Sequence, residues 1–336
     1  MTFKAAFSFA DGKTLFCPVG EQESVLDAAL KNGIRLPFDC REGVCATCKG
    51  QCESGKYSQQ YVDEDALNAD DLSNGKVLTC QTHLHSDATF SFNFDSSLCT
   101  GEQACYSGLV SDIQHISPTT AVLKIAMDDA HGGPEYLPGQ YARLTVPGSE
   151  CQRAYSFSNW PAGGNIEFLV RMLADGKMSQ YLRETCKPGD RITLDAPYGT
   201  FYLRDITRPV VMAAGGTGLS AFLAMLDSIA ARGTTFPIHL YYGVRTAEDI
   251  CELERLIGYQ SSMSAFSFDI VLSNPGPGWG GKTGYITDHL SPSETWQNGV
   301  DLYVCGPPGM VDSISHWLSQ ASLPATRLYY EKFLSS

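Results

Sequence analysis

No stretch of this 336-residue chain approaches the ~20 consecutive apolar residues a helix needs to cross a bilayer, so no membrane anchor is expected. Basic residues are scarce: 24 Lys and Arg stand against 37 Asp and Glu, a formal charge of −13. That balance argues against a nucleic-acid footprint and suits a protein that meets a basic partner surface. A secretory signal is also missing from the reading, so the expectation is a cytoplasmic protein whose twelve cysteines stay reduced and are not a disulfide scaffold. What is present, 43% hydrophobic residues, is enough for two or three packed domains.

The cysteines are not evenly spread. Cys40, Cys45 and Cys48 stand in a C-x4-C-x2-C loop, and a lone Cys80 follows far downstream. This is the plant-type [2Fe–2S] spacing, in which four thiolates hold two irons. Gly43 and Ala46 suit a loop that must turn sharply and bring amides near sulfur. Two other centres need weighing. Zinc also takes four cysteines, but usually as two C-x2-4-C pairs, and the distal half here is one residue. A Rieske centre needs two histidines; His83 and His85 follow Cys80, but the loop from Cys40 to Cys48 has none.

Around this loop, alternating Phe3, Ala5, Phe7 and Phe9, a turn at Asp11-Gly12 and a second strand over Thr14 to Val19 predict a hairpin. Ser24 before Val25 to Leu30, with Asn32-Gly33 as the stop, predicts a short helix crossing it. Strands at Val77 to Cys80 and Thr89 to Phe94 complete a β-grasp-like module. Asp63, Glu64, Asp65, Asp70 and Asp71 lack an evident compensating base and read either as a solvated helix face or as a docking surface. Ser96 to Gln103 reads as a linker. Beyond it, short strands at Val110 to Ile116, Ala121 to Met127, Tyr141 to Val146, Ile166 to Met172 and Arg191 to Leu194 predict an antiparallel barrel. After Arg204 strands alternate with helices, which predicts a parallel sheet.

Four stretches carry the later chemistry. On the strand at Arg153-Ala154-Tyr155-Ser156, alternation puts Arg153 and Tyr155 on one face. Gly176-Lys177-Met178-Ser179 introduces a short helix predicted over Gln180 to Glu184, whose first amides suit a phosphate. The buried strand Pro209 to Ala214 runs into Gly215-Gly216-Thr217-Gly218 and then a helix over Leu219 to Ala231, an order that suits a pyrophosphate. The acid that would hold a ribose 2′-OH after the next strand is missing; Gly243-Val244-Arg245 stands there. A later strand ends in Cys305-Gly306-Pro307-Pro308.

R-x-Y-S, G-G-x-G and C-G-P-P together resemble the ferredoxin–NADP reductase superfamily. The resemblance implies a six-stranded antiparallel FAD-binding β-barrel and a parallel-sheet α/β nucleotide-binding domain. With the ferredoxin module in front, the chain is a multidomain α+β and α/β protein, expected as 1–97 [2Fe–2S] ferredoxin domain, 98–104 linker, 105–205 FAD barrel and 206–336 NAD domain. That order resembles reductase components of aromatic-ring dioxygenases, nearest the benzoate and toluate 1,2-dioxygenase type. The resemblance implies hydride transfer from NADH to FAD, then single electrons through the cluster to a terminal Rieske-type oxygenase. It assigns Arg153, Tyr155, Ser156, Val170, Gly176, Lys177, Met178 and Ser179 to FAD, and Gly216, Thr217, Gly218, Cys305, Gly306 and Pro307 to the nicotinamide nucleotide. Ser156, Cys305 and Phe333 are its expected catalytic residues, Phe333 as an aromatic lid or else a core residue of the last strand. Leu272-Ser273-Asn274-Pro275, without Arg, favours NADH, while Arg245 and Lys282 leave NADPH open. A reductase for a di-iron monooxygenase would share every motif, and a non-enzymatic metal-binding adaptor would keep only the cysteines.

Overall fold

A computed structural model describes residues 2–100, 104–128, 133–160, 164–292, 296, 298–321, 323 and 325–333. The chain divides into two compact units, Met1–Gln103 with Tyr198–Thr200, and Ala104–Pro197 with Phe201–Ser336.

In the first unit β1 (Thr2–Ser8) and β2 (Thr14–Gly20) form the hairpin the alternation predicts, with Ala5 and Phe7 inward. Helix α1 (Val25–Lys31) starts where Ser24 Oγ accepts the Asp27 amide at 3.1 Å, and it buries Val25, Leu26, Ala28 and Ala29. Strands β3 (Lys49–Ser54), β4 (Tyr57–Gln59), β5 (Lys76–Leu78), β6 (Thr82–Leu84) and β7 (Ala88–Ser91) follow, with α2 (Ala69–Ser73) before β5. The main sheet runs β2-β1-β7-β3-β5, and β7 lies parallel to β1. This is the β-grasp arrangement. Phe7, Phe9, Phe90, Phe92 and Phe94 form an aromatic chain with neighbouring centroids 5.1 to 6.1 Å apart. One expectation is corrected: the acid run does have a compensating base, because Asp71 is buried and pairs with Lys76. Of the predicted linker, Ser96–Cys99 forms a 3-10 turn and residues 101–103 lie outside the described set.

The second unit holds two sheets. The first has β8 (Ala104–Ser117), β9 (Thr120–Met127), β10 (Tyr141–Thr145), β11 (Gln152–Ser156), β12 (Asn165–Arg171) and β13 (Arg191–Tyr198) in the order β11-β10-β13-β8-β9-β12. A bridge between Phe157 and Phe168 joins the two edge strands and closes it into a barrel. Leu123, Ile125, Ala142, Leu144, Phe157, Phe168, Ile192 and Leu194 fill the interior. Helix α3 (Lys177–Glu184) begins three residues earlier than the Gln180 start expected, because Gly176 supplies the extended N-cap.

The second sheet has β14 (Val210–Gly215), β15 (Ile238–Val244), β16 (Phe266–Leu272), β17 (Lys282–Thr283), β18 (Asp301–Gly306) and β19 (Arg327–Lys332), with α4 (Leu219–Arg232), α5 (Leu253–Ser262) and α6 (Pro308–Ala321). Its order is β17-β16-β15-β14-β18-β19, and every neighbouring pair is parallel. The strand order reverses at β14, so a crevice opens beyond the ends of β14 and β18. Helix α4 is almost wholly apolar because it is covered twice. Phe222, Met225 and Leu226 share one core with sheet residues and with Val122, Leu169 and Phe201 of the barrel side. No helix among the described residues is long and apolar enough to cross a membrane.

Candidate functional site

The cysteine loop is shaped by backbone that ordinary residues avoid. Arg41 and Ala46 have φ of 62° and 58°, and Gly43 has φ of 80°. A Cβ at Gly43 would also lie 2.3 Å from the Tyr61 carbonyl oxygen, so glycine is required there twice over. The thiols fall into two pairs. Cys40 N points at Cys45 Sγ (3.4 Å), and Cys48 Sγ lies 3.4 Å from Cys80 Sγ. The Glu42 amide donates to Cys40 Sγ (3.3 Å), and Gln81 Nε2 donates to Cys80 Sγ (3.7 Å). Hydrogen bonding to Cys45, helped by backbone amides, draws Cys40 down to about 5, and the bond to Cys48 draws Cys80 down to about 7. Cys45 and Cys48, the proton-keeping members of the pairs, are pushed up.

Two thiol pairs with amides aimed at sulfur fit a binuclear cluster, where each iron takes two thiolates.

In the second unit, β11 pairs with β10 so that Arg153 faces Leu144 and Tyr155 faces Ala142 in register. Arg153 Nη1 donates to Cys151 Sγ at 2.7 Å and to the Gln152 carbonyl at 2.8 Å. Tyr155 packs half-buried on the barrel core, and burial pushes its phenol well up. Val170 and Met178 are side chains of that core. Ser179 lies within the first turn of α3, its Oγ accepting from Leu173 N (2.9 Å) and donating to Arg171 O (3.3 Å). It braces the turn between β12 and α3. The amides of Lys177, Met178 and Ser179 precede the first intrahelical bond, from Gln180 N to Gly176 O, and so suit an anionic group.

The crevice beyond β14 and β18 gathers the other residues. Gly216–Gly218 form a single tight turn directly before α4. A Cβ at Gly218 would lie 2.2 Å from Cys305 O, so this turn can sit against β18 only as glycine. Pro307 is exposed at the start of α6. Phe333 N donates to Gly306 O (2.8 Å), and the Phe333 ring is partly buried against the core that contains Cys305.

One residue here escaped the sequence reading. Glu331 is the register partner of Cys305 across β18 and β19. Burial pushes its carboxyl up to about 8, while the Ser156 hydroxyl pulls the other way. Ser156 Oγ and Glu331 Oε2 are both buried without a hydrogen-bond partner, and Ser156 is near enough to act on the Glu331 carboxyl. Cys305 is fully buried, and its thiol is pushed well up by burial and by Glu331. The barrel strand and the last two sheet strands thus meet at Ser156, Cys305 and Glu331. Unpaired buried polar atoms at this junction fit a bound group with ring donors and acceptors, as an isoalloxazine has. In the sequence Glu331 is one acid between Tyr330 and Lys332 near the end of the chain, and no spacing there points to Ser156 or Cys305.

Three family models match: a 2Fe-2S iron-sulfur cluster binding domain over residues 8–85, an oxidoreductase FAD-binding domain over 107–202 and an oxidoreductase NAD-binding domain over 212–316. The anthranilate 1,2-dioxygenase electron transfer component of Acinetobacter baylyi is 46% identical over 100% of this chain and 98% of its own. The toluate 1,2-dioxygenase electron transfer component of Pseudomonas putida is 40% identical over 100% of both. Among solved structures, the Amycolatopsis cytochrome P450 reductase GcoB superposes with a TM-score of 0.73 at 27% identity, covering 98% of each chain. The chain therefore belongs to the family of electron transfer components of aromatic-ring 1,2-dioxygenases, oxidoreductases that join a [2Fe–2S] cluster-binding domain to FAD- and NAD-binding domains.

Proposed function

We propose that this chain accepts hydride from NADH at the junction of Ser156, Cys305 and Glu331 and delivers electrons to a Rieske-type oxygenase that acts on a benzoate-like ring carboxylate. The observation that carries the reading is that junction, where a barrel strand and two strands of the nucleotide sheet bring unpaired buried polar atoms together. FAD and the cluster supply a two-electron acceptor and a one-electron outlet. Ser156 offers a hydroxyl to the flavin ring edge, and Glu331, with its raised pKa, holds a proton beside it near neutrality. Tyr155 lies along the flavin, Arg153 leaves Cys151 for the diphosphate, and the first-turn amides of α3 hold its far side. Gly216, Thr217, Gly218, Cys305, Gly306 and Pro307 receive the nicotinamide nucleotide, and Phe333 covers the flavin until it enters. Cys40, Cys45, Cys48 and Cys80 bind the cluster.

The working boundaries are 1–97, 98–104, 105–205 and 206–336, and the setting is cytoplasmic. NADH is the donor this reading favours, because Lys282 is engaged, 3.1 Å from Asp269, and Leu272 to Pro275 supply no cation for a 2′-phosphate, which leaves the exposed Arg245 as the one of the two candidate cations to test against NADPH. The ring carboxylate follows from the named reactions of the two relatives, on anthranilate and toluate. Turnover with purified candidate oxygenases tests this. NADH-coupled product formation from benzoate with a ring-carboxylate dioxygenase is the expected result; support of a di-iron monooxygenase alone would overturn it.

A further inference from the structure

Helix α4 carries a single acid in an otherwise apolar interior, Asp227, two turns beyond the Gly216–Gly218 turn. It is the centre of a polar knot. Asp227 Oδ2 accepts the Trp160 amide at 3.0 Å and Arg255 Nη2 at 2.6 Å, while Oδ1 accepts the Tyr259 hydroxyl. Arg255 Nε donates to Tyr259 Oη at 2.8 Å, and its Nη1 lies 3.7 Å from Glu167 Oε2 on β12 and 4.0 Å from Glu252. Glu167 also meets Lys124 of β9 at 3.7 Å. The knot therefore joins α4 and α5 of the nucleotide sheet to the barrel.

What it holds on the barrel side matters. Trp160 lies four residues after Ser156 on the connection leaving β11. That connection is pinned at Asn159: its Oδ1 accepts the Glu167 amide (2.9 Å), and the Tyr136 hydroxyl donates to its carbonyl oxygen (2.7 Å). Elsewhere along this seam Val122 and Leu169 pack against α4, Thr119 Oγ1 donates to Asp249 Oδ1 at 2.8 Å, and Arg232 of α4 lies over the Trp160 ring. Apolar packing is non-directional and tolerates sliding, whereas charge-assisted hydrogen bonds fix a register.

We propose that Asp227 and Arg255 are positioning residues for hydride transfer: by tying the segment that carries Ser156 to the helix that begins at the nucleotide turn, they set the spacing between the flavin side and the nicotinamide side. This rests on the function proposed above. A displacement of about 1 Å at a reacting pair can cost about 10²-fold in rate.

The test uses FAD- and cluster-loaded protein, wild type against Arg255→Met, Arg255→Lys and Asp227→Asn, mixed with NADH anaerobically in a stopped-flow instrument. In Arg255→Met and Asp227→Asn the limiting rate of flavin bleaching should fall at least tenfold. NADH affinity should stay within about threefold. FAD content and dithionite reduction should match wild type, and Arg255→Lys should recover part of the rate because it restores the charge. A knot that only stabilises the fold would lower the melting temperature and leave the limiting rate alone, and that result overturns the proposal. So does a rate loss that merely tracks FAD loss in both variants. Wild-type protein whose flavin NADH does not bleach overturns the proposed function as well; bleaching by wild type and variants alike overturns this inference alone.

Discussion

Gly218 can be tested for space alone. Its φ is −58°, which any residue accepts, so alanine there introduces no backbone strain. The added methyl would lie 2.2 Å from Cys305 O and 2.7 Å from the carbonyl carbon, both backbone atoms that no side-chain rotation can clear. To restore ordinary contact, the start of α4 and the end of β18 must separate by roughly 1 Å, with an overpacking cost of about 1–3 kcal/mol. The same shift moves the nucleotide turn relative to Cys305 and Glu331. A misplacement of that size costs about 10²-fold in the transfer step, or about 2.7 kcal/mol of barrier. Gly218→Ala protein should therefore purify with a normal ratio of FAD to chain, since the barrel core is untouched. It should bleach slowly at saturating NADH in anaerobic stopped-flow. Bleaching at the wild-type limiting rate would refute the claim that the turn and β18 are held at a functional distance.

Other expectations follow from the same geometry. Cys80→Ser should leave NADH-dependent flavin bleaching intact while abolishing reduction of a one-electron protein acceptor; undiminished delivery would contradict its place in the thiol pair with Cys48. Glu331 has a folded-state pKa of about 8 against 4.5, so the folded chain holds a proton that the unfolded chain releases. Stability is therefore whole below about pH 4.5 and declines as pH rises to about 8, by about 5 kcal/mol in full. Glu331→Gln cannot ionise, and its melting temperature should gain on wild type between about pH 6 and pH 9; parallel curves would count against the burial.

Sequence patterns revealed those features whose parts lie close along the chain. Cys40, Cys45 and Cys48 share one loop, and the strand, turn and helix around Gly216–Gly218 are contiguous, so spacing alone carried their chemistry. Strand alternation likewise placed the hairpin β1–β2 and the barrel strand β9. Glu331 was hidden for the opposite reason. An acid in a terminal strand reads as surface, and only the parallel register of β19 with β18 puts it beside Cys305. The start of α3 was placed three residues late because Gly176 caps it through backbone conformation, with no side-chain signal. Asp71 belongs to a run of acids that reads as a solvated face or a docking surface, and only β5 brings Lys76 to it.

The central claim is that one chain converts a hydride into single electrons, and an anaerobic NADH titration followed by visible absorption and electron paramagnetic resonance tests it most directly. The account predicts uptake of about 1.5 NADH per chain, two electrons to FAD and one to the cluster, with flavin bleaching accompanied by the signal of a reduced [2Fe–2S] centre. Bleaching of the flavin with no cluster signal at any NADH excess would contradict it.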